Sequence, residues 1–250
     1  MKLFSNKKRP VHLGAYPLEN LKRQETVNLS NVPSSKKLTF SRSEDPQNIV
    51  NAMSEYEAML DVIRDGFVNK VKSEIPEDLN ERSNHFKSFS YFSDCSMVGI
   101  CELPKLARLS SPFKNPEVND LARALRTRQT KTLASGIDMI MADLKESIEA
   151  PPKTIKNHLY ALVFLYENPR DIFENETGTD WLGNALKHRA CLRANETAVV
   201  IANYIRLLGY EAKSHSGSES DVDLNKLAVA SGLVWNENGK LLAPYIGANF

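Results

Sequence analysis

The stretch "RACLRANETAVVIANYIRLLGYEAKSHS", Arg189 to Ser216, constrains this chain more than any other. Ala194, Ala198, Ile201, Ile205 and Leu208 recur at helical spacing, and Val199, Val200 and Leu207 widen the apolar face. Gly209 stands where a left-handed residue ends a helix. "YEAKSHS" then alternates polar and apolar residues as a strand does. A long helix, a glycine stop and a strand, with the apolar run "HLYALVFLYE" upstream, is the grammar of an α/β fold. The expected architecture is a mixed sheet flanked by helices.

Other elements read similarly. "DPQNIVNAMSEYEAMLDVIRDG" predicts a helix, with Asp45 as N-cap and Pro46 at its first position. Ile49, Met53, Tyr56, Leu60 and Ile63 form its expected buried stripe. "FKSFSYFSDCSMVGICEL" is rich in β-favouring residues, and "MVGICEL" predicts a strand in which Gly99 permits close approach. Prolines 104, 112 and 116 punctuate a loop, residues 117–149 carry a long helical stripe, and "HLYALVFLYE" reads as a buried strand. Asp171, Glu174, Glu176 and Asp180 read as a solvated acidic loop anchored by Trp181. "DVDLNKLAVASG" predicts a short helix capped by Asp221 or Asp223 and stopped at Gly232, with a turn at Asn238-Gly239.

Charge divides the chain. Residues 1–42 hold nine basic and two acidic residues, a net of +7, which leaves −6 on the rest. Residues 1–45 thus read as an extended basic arm on an acidic body at 46–250, with Leu13, Tyr16, Leu18 and Leu21 as its anchors. Aromatic residues interleaved with basic surface are missing, so no nucleic-acid partner is expected. No apolar run approaches the ~18 residues of a membrane span, and no apolar segment follows "KKRP" as a secretory signal requires. Cys95, Cys101 and Cys191 are three, form no C-x-x-C and suit a reducing cytoplasm.

Standard catalytic signatures are absent: there is no phosphate-binding glycine loop, no H-E-x-x-H and no G-x-S-x-G. His188 and Cys191 stand three apart, but two ligands do not make a metal site, and none is assigned. Arg189 and Arg193, near the start of the long helix, are candidates to hold an anion. The plainer alternative ties His188 and Arg189 to backbone or carboxylates. His215, at the expected strand end before "SGSESD", is a candidate cofactor or ligand contact.

Four stretches carry a family resemblance: "KRPVHLGAYPLENLKR", "YFSDCSMVGIC", "HRACLRANETAVVIANYIRLLGYEAKSHS" and "DLNKLAVASGLV…GKLLAPYIGANF". Together, over about residues 8–250, they resemble the N-terminal half of cytoplasmic, catabolic-type reductive dehalogenases. Gly232, Leu233, Trp235, Gly239, Lys240 and Pro244 are also similar to a segment of epoxyqueuosine reductases. The resemblance implies a nitroreductase-like α/β fold in which this region is a degenerate copy of a corrinoid module. In the full-length family, cobalamin and two [4Fe-4S] clusters support reductive removal of halide from organohalides. Those clusters need about eight thiolates, which three scattered cysteines do not supply. No catalytic residue is therefore assigned, and whether the chain is itself an enzyme stays open.

The expectation is a truncated N-terminal fragment, a non-catalytic scaffold half with an unpaired sheet edge after Leu241–Phe250. Its partner would be a C-terminal catalytic half from the same or a split gene. The alternative is a standalone small-molecule or corrinoid-binding protein without catalysis.

Overall fold

The computed structural model describes residues 9–22, 27–39, 42–118, 153–168, 172–173, 175–183 and 185–250. Its elements are α1 (Val50–Val62), α2 (Leu79–Phe92), β1 (Met97–Glu102), β2 (Arg108–Phe113), β3 (Tyr160–Leu165), the single turn α3 (Thr179–Leu182), α4 (Ala185–Leu207), β4 (Ser220–Val222), α5 (Leu224–Ala230), β5 (Trp235–Glu237) and β6 (Lys240–Leu242). Most of the helical stripe expected over 117–149, and both Asp171 and Glu174, lie outside the described residues.

β1 and β3 pair antiparallel in unbroken register, from Met97 opposite Leu165 to Glu102 opposite Tyr160. Successive β1 side chains point to opposite faces, and both faces are covered. Met97 enters an apolar cluster with Leu165, Val229, Leu233 and Ile246 on the α5 side. Val98 enters another with Cys95, Tyr166 and Ala190 on the α4 side. Gly99 is required for this fit: a Cβ there would lie 2.9 Å from Leu233 Cγ and from Ser231 Cβ. The strand pair is thus the middle of a three-layer arrangement.

Among the described residues the strands form three separate two-stranded antiparallel pairs, β1–β3, β2–β4 and β5–β6, in place of the expected mixed sheet. The physical reason lies in residues 210–216, which join no ladder. Their neighbour is the irregular chain after α1. Ser214 N donates to Arg64 O at 3.0 Å, and the Arg206 side chain takes Ala212 O at 3.1 Å. A side chain occupying a backbone acceptor leaves no room for a strand partner.

Three further expectations are corrected. The aromatic run before β1 is helical: Asp78 caps α2, its side chain accepting from Asn80 N at 3.0 Å, and Glu81 sits in the first turn. The proline-punctuated loop contains β2, which pairs irregularly with β4 at Arg108 and Phe113 and tolerates Pro112 between them. The third concerns α1. Ile49 and Tyr56 are exposed, while Val50, Ser54, Glu57, Ala58, Asp61 and Val62 are buried. The helix is rotated from the expected stripe because its polar groups find partners inside, described below. Asp45 caps the turn before α1, accepting from Gln47 N at 2.9 Å, and not the helix itself.

α4 ends as read, with Gly209 left-handed at φ 87°. Val200 and Leu207, however, face solvent. Asp223 caps α5, accepting from Lys226 N at 3.2 Å, and Asn238-Gly239 closes the β5–β6 hairpin. Residues 9–22 and 27–39 lie along the body. Val32 is buried in the α5-side cluster, and the Tyr16 ring stacks on Tyr245 with centroids 5.3 Å apart. Leu38 N donates to Gly217 O at 2.8 Å and Ser35 N to Asp223 Oδ1 at 3.0 Å. Charge has a smaller part here. Arg9 pairs with Glu19 of the same segment at 2.7 Å, and Arg42 reaches Glu55 and Glu117 on the body.

Gly209→Ala combines a strained φ with a Cβ placed 2.6 Å from Val71 O. The expected outcome is a loss of about 1–3 kcal/mol in urea unfolding, with the far-UV circular dichroism of the folded state unchanged.

Candidate functional site

The buried face of α1 meets α4 and the 211–221 segment through polar groups. Asp61, 3% exposed, is the centre. Its Oδ1 accepts from Asn195 Nδ2 at 3.0 Å and from Ser216 Oγ at 2.8 Å. Its Oδ2 accepts from Asn115 Nδ2 at 2.9 Å and from Ser218 Oγ at 2.7 Å. Burial raises the Asp61 pKa, and the four donors oppose that shift without cancelling it. The donors come from α4, the 114–118 segment and the serine-rich loop, so one carboxylate joins four parts of the chain.

One turn further, Arg64 lies between two carboxylates. Its Nη2 donates to Asp221 Oδ1 and Oδ2 at 3.2 and 3.1 Å, and its Nη1 is 3.7 Å from Glu219 Oε1. Lys213 Nζ is 2.6 Å from Asp221 Oδ2, and Lys114 Nζ is 3.0 Å from Glu219 Oε1. Burial pushes the Asp221 carboxyl up, but the Lys213 hydrogen bond and the Arg64 charge outweigh it and hold the carboxyl below its ordinary value. Burial also lowers Lys213, against its bond to Asp221. A cleft of about 190 Å³ opens beside this network, lined by Asp65, Lys153, His158, Glu211 and Lys213 among others. Its charges are mixed, and Lys213 is committed to Asp221 and to Lys153 O.

The residues singled out from sequence fall in two different settings. Arg193 pairs with Asp94 at 2.6 Å and lies 6.0 Å from the centroid of the Tyr166 ring. Arg189, one turn earlier, is exposed. His215 is part of the Arg64 network: its Nδ1 accepts from Asp221 N at 3.3 Å, which requires a neutral ring with the proton on Nε2. Burial and the adjacent Arg64 both lower its pKa. A neutral His215 offers no charge to an anion. His188 is buried, and burial lowers its pKa as well. Trp181 is 56% exposed and donates from Nε1 to Gln47 Oε1 at 3.2 Å.

Sequence reasoning passed over Glu57, Asp61, Arg64, Asn115, Asn195 and Glu219. The signal available was the serine cluster "SHSGSESD", a run of hydroxyl donors that requires an acceptor when buried.

Metal ligation was weighed on the donors present. Among the described residues no group of three His, Cys, Asp or Glu side chains is placed to hold a metal ion. The cysteines occupy three environments. Cys95 Sγ donates to Met97 O at 2.9 Å, Cys101 packs beside Ala107 and Val222, and Cys191 lies on α4 near Glu57. Burial pushes them up to about 12, 11 and 12 respectively. A cluster needs converging thiolates, so these residues do not fit one. The 190 Å³ cleft is also smaller than the ~300 Å³ lower bound of ordinary small-molecule pockets, and a corrinoid does not fit it.

No protein-family model and no curated protein matches the chain. Solved structures do, reductive dehalogenases among them. The catabolic reductive dehalogenase NpRdhA, N-terminally tagged, is 26% identical with a TM-score of 0.69, covering 98% of this chain and 29% of that chain. NpRdhA in complex with 3-bromo-4-hydroxybenzoic acid is 27% identical with a TM-score of 0.68 over the same shares. A further structure, reported with a mechanism for B12-dependent dehalogenation, gives 26%, 0.68, 98% and 29%. The chain therefore has the fold of part of a catabolic reductive dehalogenase and spans less than a third of the length of these relatives. Among the described residues no helix is long and apolar enough to cross a membrane.

Asp61→Ala leaves four buried donors without their acceptor, each costing about 1–3 kcal/mol. The expected loss in urea unfolding is at least about 3 kcal/mol. Asp94→Asn, which neutralises one partner of an exposed pair at a left-handed position (φ 61°) that asparagine also adopts, is expected to cost under about 1 kcal/mol in the same measurement.

Proposed function

We propose that this chain is the N-terminal, non-catalytic α/β part of a reductive dehalogenase-type protein, related also to epoxyqueuosine reductases and their nitroreductase-like fold. In this reading it acts in the cytoplasm as a scaffold for a C-terminal partner that carries cobalamin, two [4Fe-4S] clusters and the catalytic residues. The observation that carries the reading is the likeness to NpRdhA over 98% of this chain and 29% of the enzyme. The three thiols, which lie apart with only Cys95 fully buried, support it, because they leave cluster binding to another part of the assembly. The polar network around Asp61 and Arg64 supports a structural role: its charged groups are engaged with one another and not aimed at a common point.

Two measurements test this. The purified chain is titrated with cobalamin and followed in the visible spectrum, and no saturable shift is expected. A shift saturating at micromolar protein overturns the scaffold reading in favour of a standalone corrinoid binder. The chain is then co-expressed with a cluster-bearing catalytic half of a catabolic dehalogenase. Co-purification, with organohalide reduction appearing in the complex alone, is the expected result. Failure to associate removes the partner.

A further inference from the structure

The face of α1 that packs on α4 carries two carboxyls one turn apart, and only one has its hydrogen bonds. Asp61 has four donors, whereas Glu57, 1% exposed, has a buried Oε1 with no hydrogen-bond partner. Among the described residues, the titratable groups that act on Glu57 supply no positive charge: Asp61 on its own helix and the Cys191 thiol from α4. Asn195 of α4 and Asn115 spend their amide donors on Asp61. Arg64, just past the C-terminal end of α1, is engaged by Asp221 and Glu219, and Lys114 by Glu219. Lys213 is engaged by Asp221. A carboxylate at Glu57 would be a buried anion with no cation and no donor for Oε1, beside a second carboxylate. A neutral carboxylic acid removes the charge and so the conflict.

We propose that Glu57 is a proton-dependent latch between α1 and α4, a neutral acid in the folded chain whose ionisation weakens the contact between the two helices. Burial, and then the charge of Asp61, push its pKa from 4.5 to about 8. Between those values the folded chain holds a proton that the unfolded chain releases. The stabilisation is complete below 4.5, declines as pH rises above it, and is gone once pH passes about 8. The decline is at most about tenfold in the folding constant per pH unit. Two helices tied by this group lose stability as pH rises from mild acid to about 8, a sensitivity that does not depend on the dehalogenase reading.

The test is urea unfolding of the purified chain and of Glu57→Gln from about pH 6 to about pH 9. Glutamine keeps the shape and removes the titration. The native folding constant is expected to fall by up to about tenfold per pH unit up to about pH 8, relative to the variant, and the variant to be the more stable at the alkaline end. Identical slopes in the two proteins overturn the proposal. Infrared spectroscopy of the native chain gives a readout that does not need the variant to fold. A protonated-carboxyl stretch at neutral pH that titrates away in mild alkali supports the latch, and its absence at neutral pH sinks it.

Discussion

Asp61 is a carboxylate withdrawn from water and given four hydrogen bonds in return, and the position of α1 follows from that exchange. A buried carboxylate without donors is strongly destabilising, and one with four is a fixed point. Asn195 ties it to α4, Asn115 to the end of the β2 segment, and Ser216 and Ser218 to the loop before β4. These parts are far apart in sequence, so the carboxylate acts as a joint in the tertiary structure. Arg64 extends the same logic by one turn, with Asp221 and Glu219 as its acceptors.

The joint also explains why residues 210–216 do not become a strand. Ala212 O accepts from the Arg206 side chain and Ser214 N donates to Arg64 O, so these backbone groups are engaged outside any strand ladder, while the Ser216 hydroxyl serves Asp61. The apolar core lies elsewhere, on the two faces of β1 and β3, where side chains alternate between the α5 side and the α4 side. The domain thus has an apolar half built on a strand pair and a polar half built on a carboxylate. Residues 27–39 close the apolar half through Val32 and meet the loop of the polar half through Leu38.

The family likeness and the side-chain chemistry bear on function at different levels. The likeness to NpRdhA identifies what kind of protein this fold is found in, over a share of 29% of that enzyme. The side chains describe this portion by itself: its three thiols lie apart, burial lowers the pKa of His158, His188 and His215, and the charges around Arg64 are paired with one another. A surface arginine such as Arg193, engaged by Asp94, fits the same pattern.

The fold was legible where local chemistry decides it. β1, β3, the glycine stop at 209, the Asp223 cap and the Asn238-Gly239 turn follow from β-propensity, left-handed conformation and capping, which act over a few residues. α2 was not assigned, because residues 86–92 were read for aromatic and β-favouring content and the Asp78 cap was passed over, and the buried face of α1 was misplaced because its buried positions include polar residues. The family resemblance was also legible, in stretches whose likeness does not depend on knowing the contacts. The buried site was not. Ser216, Asn115 and Asn195 are ordinary polar residues in sequence, and Glu57 and Asp61 look like a solvated face of a helix. Only the tertiary structure decides otherwise, because the energy of a buried polar group depends on whether a partner from a distant part of the chain is there to meet it.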